Sequence, residues 1–275
     1  MFYWFTAFAQ LADDGPLLSA GQKLSEIEWT HSSLHNASYV VDLNGNNIVT
    51  CGFTNTLWER GSAQFTGDGG STNTIQVRNN LLRNCTHHFI NAQTSWRVFD
   101  NLLDGGGFDD HGTAVTNGHN AAFQATTNFA AGVNNTNLTN LVYEAGPLGR
   151  YYQPTNSPLL NAGSQNATNA ALYHFTTTTN QVKETNTVVD IGPHWVALNG
   201  SGAPLDYDSD GVPDYFEDRN GNGTADGGEI NWQDWDSDDD GVGDGVELLQ
   251  GRNPLGGTLA DTNNILNLRV FTPLK

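Results

Sequence analysis

The chain has 275 residues, a net charge of −19 and 11 Lys and Arg residues in all. That balance gives no basic footprint for a nucleic acid, and no run of about 18 apolar residues offers a membrane span. Abundant Asn, Thr and Gly suit a long β-rich extracellular surface better than a helical cytosolic enzyme. The length allows one or two domains.

The opening MFYWFTAFAQ is apolar, lacks a basic n-region and is too short for a full signal peptide, so it reads as part of the fold. Leu17 to Glu28 is a modest helical candidate. From there to about residue 200, short β-type runs alternate with Asn- and Gly-rich turns. TIQVRNNLL at 74–82 matches SWRVFDNLL at 95–103 at a constant offset of 21 residues, and IVTCGFTNTL at 48–57 is a looser echo. Such a period fits one coil of a parallel β-helix, with two or three short strands and tight turns. The register would stack Ile75 on Trp96, Val77 on Val98 and Leu82 on Leu103. It would also stack Asn80 on Asn101, with amides hydrogen-bonded along the axis. The alternative is a pair of similar strands in a sandwich.

GGGFDDHG at 105–112 is the densest polar cluster outside the acidic C-terminal stretch. Asp100 with Asp109 or Asp110, and His111 beside them, are the candidate catalytic groups. A glycosidase needs two carboxyls about 5–10 Å apart; the plainer alternative is a solvated turn. His87 and His88 alternate faces on a strand and do not form a metal pair by themselves. Trp58 would suit sugar stacking if exposed. Cys51 and Cys85 are either bridged or two buried thiols, which spacing does not decide.

The acidity is local. Of the 30 acidic residues, 15 lie between Asp206 and Glu247 against one basic residue, Arg219. Three twelve-residue windows there share one grammar: oxygen ligands at positions 1, 3, 5, 9 and 12 and Gly at 6. The first holds Asp206, Asp208, Asp210, Asp214 and Glu217; the second Asp218, Asn220, Asn222, Asp226 and Glu229; the third Asp236, Asp238, Asp240, Asp244 and Glu247. Backbone carbonyls at position 7 (Val212, Thr224, Val242) complete each set. This is the ligand order of a calcium loop, a hard cation taking about six to eight oxygens. About three Ca²⁺ are therefore expected, and an acidic solvated linker is the alternative. After Asp244, a short helix over Gly245 to Gln250 is expected to end at Gly251. NLRVFTPLK at 267–275 reads as a strand.

Glu217 runs directly into Asp218, so no helix separates the first two loops. The pattern resembles thrombospondin type 3-like repeats, in which metal rather than a core holds the backbone. NSPLLNAGS at 156–164 and VVDIGPHWVA at 188–197 carry a second resemblance, through Pro158, Ala162, Gly163, Asp190, Ile191 and Gly192. That stretch is similar to the closing region of bacterial right-handed parallel β-helix proteins of the pectate-lyase-like superfamily. This implies secretion, and, for the enzymes of that family, Ca²⁺ on an outer groove with an Arg or Lys base.

The expected fold is all-β: a right-handed parallel β-helix (solenoid) over 1–200, a small calcium-stapled module over 201–257, and a strand or the start of a further domain over 258–275. The function expected is a non-catalytic calcium-binding structural or adhesive protein, secreted or at the cell surface. Its partners would be itself, head to tail through the apolar stretches Phe2 to Phe8 and Arg269 to Leu274, or further domains of a longer chain, unless 1–16 folds back over its own coil. A polysaccharide lyase or glycoside hydrolase, or a carbohydrate-binding module, is the alternative. Exposed coplanar aromatics or two facing carboxyls would favour those.

Overall fold

The structure, a computed structural model, describes residues 9–11, 26–42, 50–67, 73–93, 95–113, 115–128 and 132–256. The expectations for 1–8, 12–25 and 258–275 lie outside the described residues. Within Leu17 to Glu28, the described part begins the strand Glu26–Thr30.

The described part is nearly all β, and its N-terminal portion is a parallel β-solenoid. Its coils have three faces. Glu26–Thr30, Thr50–Thr54, Thr74–Arg78, Arg97–Phe99 and Thr116–Gly118 stack in parallel as the first face. The second face runs through 33–35, 57–59, 81–83, 102–104 and 121–123; the third runs through 37–42, 61–66, 85–90 and 107–109. A single left-handed residue bends the chain from second to third face: Asn36, Arg60, Asn84, Gly105 and Gln124, φ 48° to 68°. Alternation along each strand drives one set of side chains inward. Phe53, Trp58, Phe65, Ile75, Val77, Leu82, Phe89, Val98 and Leu103 are fully or almost fully buried in one core. Phe65 stacks on Phe89 of the next coil at 5.2 Å between ring centres.

The expected register is present. Val77 pairs with Val98 and Leu82 with Leu103, and Ile75 and Trp96 share the core. A fixed 21-residue period is not the rule, however. Thr56 to Asn80 is a step of 24, Asn80 to Asn101 of 21, Asn101 to Asn120 of 19 and Asn120 to Asn135 of 15. The shortening from 24 to 21 occurs in the turn after the third face, since 61–66 and 85–90 pair residue for residue, and in the next coil the third-face strand itself shortens to Gly107–Asp109. This is why one offset alone shows in the sequence.

The turn from first to second face is a two-residue device. Its first residue is left-handed: Asn55, Asn79, Asp100, His119 and Asn134, φ 53° to 62°. Asn, Asp and His tolerate that region best among residues with a side chain. Its second residue points inward and stacks. The Asn80 Nδ2 donates to Asn101 Oδ1 at 2.9 Å, Asn101 Nδ2 to Asn120 Oδ1 at 2.9 Å, and Asn120 Nδ2 to Asn135 Oδ1 at 3.3 Å. Each Oδ1 also accepts the backbone N–H of the previous coil. At the start of the row Thr56 replaces Asn, donating to Asn80 Oδ1 and accepting from Trp58 Nε1.

The chain divides into two compact units: residues 1–164 with 188–194, and residues 165–187 with 195–275. The sequence reading had placed the boundary at 200. In the first unit the stretches that carry the β-helix resemblance lie along the left-handed row. Asn55 exchanges two hydrogen bonds with the His194 backbone, Asn79 Nδ2 donates to Asp190 O, and His119 Nδ1 donates to Ala162 O. Asp190 in turn accepts from Asn161 N, and Gly163 N donates to Val189 O. In the second unit Phe175–Thr176 pairs antiparallel with Trp195–Val196. Its two helices are α1 (Asp214–Glu217) and α2 (Asp244–Gln250). Helix α2 ends as expected: Gly251 is left-handed, φ 72°, and closes onto Leu248 O. Both cysteines are buried free thiols, each raised to about 12 by burial, so the bridge is not made. No helix among the described residues is long and apolar enough to cross a membrane.

Candidate metal centre

The three acidic windows fold alike. Position 4 is left-handed in each (Ser209, Gly221, Asp239; φ 58° to 67°), and so is the position-6 glycine (Gly211, Gly223, Gly241; φ 80° to 99°). The position-1 carboxylate accepts the N–H of that glycine: Asp206 at 3.2 Å, Asp218 at 2.5 Å and Asp236 at 2.7 Å. Side chains at positions 3 and 5 each accept the N–H two residues on, as Asp208 does from Asp210 and Asp210 from Val212. Asn220 and Asn222, and Asp238 and Asp240, repeat this. These Asx turns engage one oxygen of each Asp and the single oxygen of each Asn, and they leave Asp208 Oδ2 and Asp238 Oδ2 without a partner.

Carboxylates converge in the first and third windows. Donor atoms of Asp206, Asp208 and Asp210 lie within 4.8 Å of one another, as do those of Asp236, Asp238 and Asp240. A third group joins Asp210 and Glu217 to Asp244 of the other window, where Asp210 Oδ2 also accepts Gly245 N at the start of α2. Asp208 Oδ2, both Glu217 oxygens, Asp236 Oδ1, Asp238 Oδ2 and Glu247 Oε2 are buried without a hydrogen-bond partner. Burial, then the charges of Asp208, Asp210, Asp244 and Asp214, pushes Glu217 up to about 9. Burial, helped by neighbouring carboxylates and opposed by hydrogen bonds from Asp210 and Ser237, lifts Asp208 and Asp244 to about 6, and burial with neighbouring carboxylates lifts Glu247 to about 7 against the opposing Arg252. Carboxylates so placed are costly unless protonated or paired with a cation. All-oxygen donors on a sharply turned loop suit a hard cation.

Position 9 does other work. Asp214 accepts Tyr207 N at 2.7 Å and faces Lys183 Nζ at 3.5 Å. Asp244 likewise accepts Ser237 N, while its carboxyl also belongs to the converging group. The second window is closed by its own amides: Asn220 and Asn222 Nδ2 both donate to Asp226 Oδ2, and Asn220 N and Nδ2 donate to Glu229. Its Asp218 also accepts from His174 Nε2 at 2.8 Å. Burial opposes a charge on His174, but Asp214 and Asp218 together raise its pKa. Val212, Thr224 and Val242 sit at position 7 of their turns, with Val212 buried.

Sequence reasoning missed His174 and Lys183, which lie 44 and 31 residues from their partners with no local signal. It also missed α1, although DGVPDYFE and DGVGDGVE share D-G-V-x-D and so foretold a pair of helical ends.

The candidate catalytic residues are dispersed in role. Asp100 is fully buried on the left-handed row, where Ser164 N and Oγ and Arg78 Nη1 occupy its oxygens at 2.6, 2.7 and 3.2 Å. Asp110 is buried and accepts Gly112 N. Asp109 and His111 lie on the third-face side and meet His88. Trp58 is buried in the core, which removes the sugar-stacking role. On the second face Glu59, Arg83 and Asp104 form an outward ladder at 2.7 and 3.2 Å, and Tyr151 and Tyr143 donate to its carboxylates. Compared with family models, curated proteins and solved structures, the chain matches none.

Proposed function

We propose that this chain is a non-catalytic, calcium-binding structural or adhesive protein, secreted or displayed at a cell surface, in which a β-solenoid is joined to calcium-stapled loops of thrombospondin type 3-like kind. The supporting observation is the set of buried, partnerless carboxylate oxygens in the first and third windows. Calcium at extracellular concentration would complete them and turn a repulsive cluster into a staple, since binding energy at such a site is folding energy. The non-catalytic part of the reading is supported by Asp100, whose oxygens are already held by Ser164 and Arg78. The terminal stretches expected to self-associate head to tail lie outside the described residues. Calorimetric titration with CaCl₂, and thermal melts with calcium and with chelator, test the proposal. Saturable binding with a raised melting temperature is expected; a melt unmoved by millimolar calcium ends the reading.

A further inference from the structure

We propose that His88, Asp109 and His111 form a site for a divalent transition ion of the Zn²⁺ class on the third face of the solenoid. His88 and Asp109 are register partners in adjacent coils. Since His87 is buried in the core, alternation turns His88 outward. His111 follows in a left-handed turn, φ 51°. Asp109 Oδ1 accepts the His111 N–H at 3.0 Å, and Asp110 holds Gly112 N and the Thr113 hydroxyl. The turn is therefore preformed, and Asp109 keeps Oδ2 free to face both rings.

The donor spacing suits a tetrahedral ion. His88 Nδ1 lies 3.2 Å from His111 Nε2, and Asp109 Oδ2 lies 3.9 Å from the first and 3.7 Å from the second. Bond lengths of about 2.0–2.1 Å to zinc put tetrahedral ligands about 3.3 Å apart. A contraction of about 0.4–0.6 Å on the two Asp109 edges would close the set. Two imidazole nitrogens and one carboxylate oxygen favour zinc, nickel or copper over calcium. Three protein ligands leave a fourth position open to water or a small anion. The three side chains are partly exposed, so an ion can reach them. No residue is shared with the acidic windows, so this site stands apart from the calcium reading.

The test is titration of the full chain with CoCl₂ and then ZnCl₂, with millimolar CaCl₂ present to occupy the acidic loops. One Co²⁺ per chain with the visible bands of nitrogen-ligated cobalt, displaced by Zn²⁺, is expected. His88→Ala and His111→Ala should each weaken Zn²⁺ binding by more than about tenfold, the least that even outer-shell losses cost. Melting without zinc should stay at the wild-type value in both variants, which separates ligand loss from misfolding. A zinc isotherm identical in wild type and the double variant would overturn the site, as would a cobalt spectrum of an all-oxygen octahedral complex.

Discussion

His87 sits among aromatic rings, 4.6 Å from Trp58 between centres and 5.9 Å from Phe108, and neither ring nitrogen has a hydrogen-bond partner. Burial, then the neighbouring His88, pushes its pKa down to about 3. In the unfolded chain it titrates near 6.5. Between those values the unfolded state holds a proton that the folded state refuses, so stability falls as pH drops from about 6.5 toward 3. His87→Phe should flatten that part of the melting-temperature profile relative to wild type. Parallel profiles would show that the ring does not contribute. Asn101 is a second residue-scale case. It donates to Asn120 and to the Val77 and Phe99 carbonyls, and accepts twice from Asn80. Asn101→Ala strands several buried polar groups, each worth about 1–3 kcal/mol. A loss of roughly 2–4 kcal/mol in denaturant unfolding is expected, and a loss under about 0.5 kcal/mol would mean the ladder relaxes around the gap.

At the scale of elements, the three acidic loops share a backbone but not a charge. The first and third windows carry carboxylates at positions 1, 3, 5, 9 and 12, whereas the second has Asn at 3 and 5. Calcium affinity follows ligand charge and rigidity. Two tighter sites and one weaker are therefore expected by calorimetry. Glu217→Gln and Glu247→Gln should weaken the tighter class by about tenfold or more, with Glu229→Gln affecting the weaker one. Three equal sites, or loss of the tighter class on Glu229→Gln, would contradict the ranking. The left-handed row of the solenoid is an element of another kind. Four of its five positions, Asn55, Asn79, Asp100 and His119, each engage the stretches 161–164 or 188–194. This gives the NSPLLNAGS and VVDIGPHWVA stretches a structural task, with Asp190 and Gly163 fastening one to the other.

At the scale of the molecule, the two units differ in what holds them. Residues 50–128 bury a continuous aliphatic and aromatic core, while 206–247 bury carboxylates. Chelation should therefore expose the second stretch to a protease while the solenoid core stays protected. Limited proteolysis with mass mapping checks this. First cleavage inside 50–128, or a digestion pattern indifferent to calcium, would count against metal as the staple.

Features made by neighbours in sequence were legible from sequence: the alternating strands, the stacked asparagine, the glycine at position 6 of each loop, and the end of α2 at Gly251. All but the asparagine are fixed by local backbone sterics and by hydrogen bonds that reach two to five residues; the asparagine stack, whose bonds span 15 to 21 residues, is legible through the 21-residue repeat. Tertiary structure decided the rest. The coil steps of 24, 21, 19 and 15 residues depend on how much chain the third face and the turn after it take up, which no single repeat records. Asp100, a candidate catalytic carboxylate from the sequence, is buried because a segment 64 residues away folds over it. His88 meets His111 across 23 residues because the register of stacked coils, rather than any motif, brings their rings together.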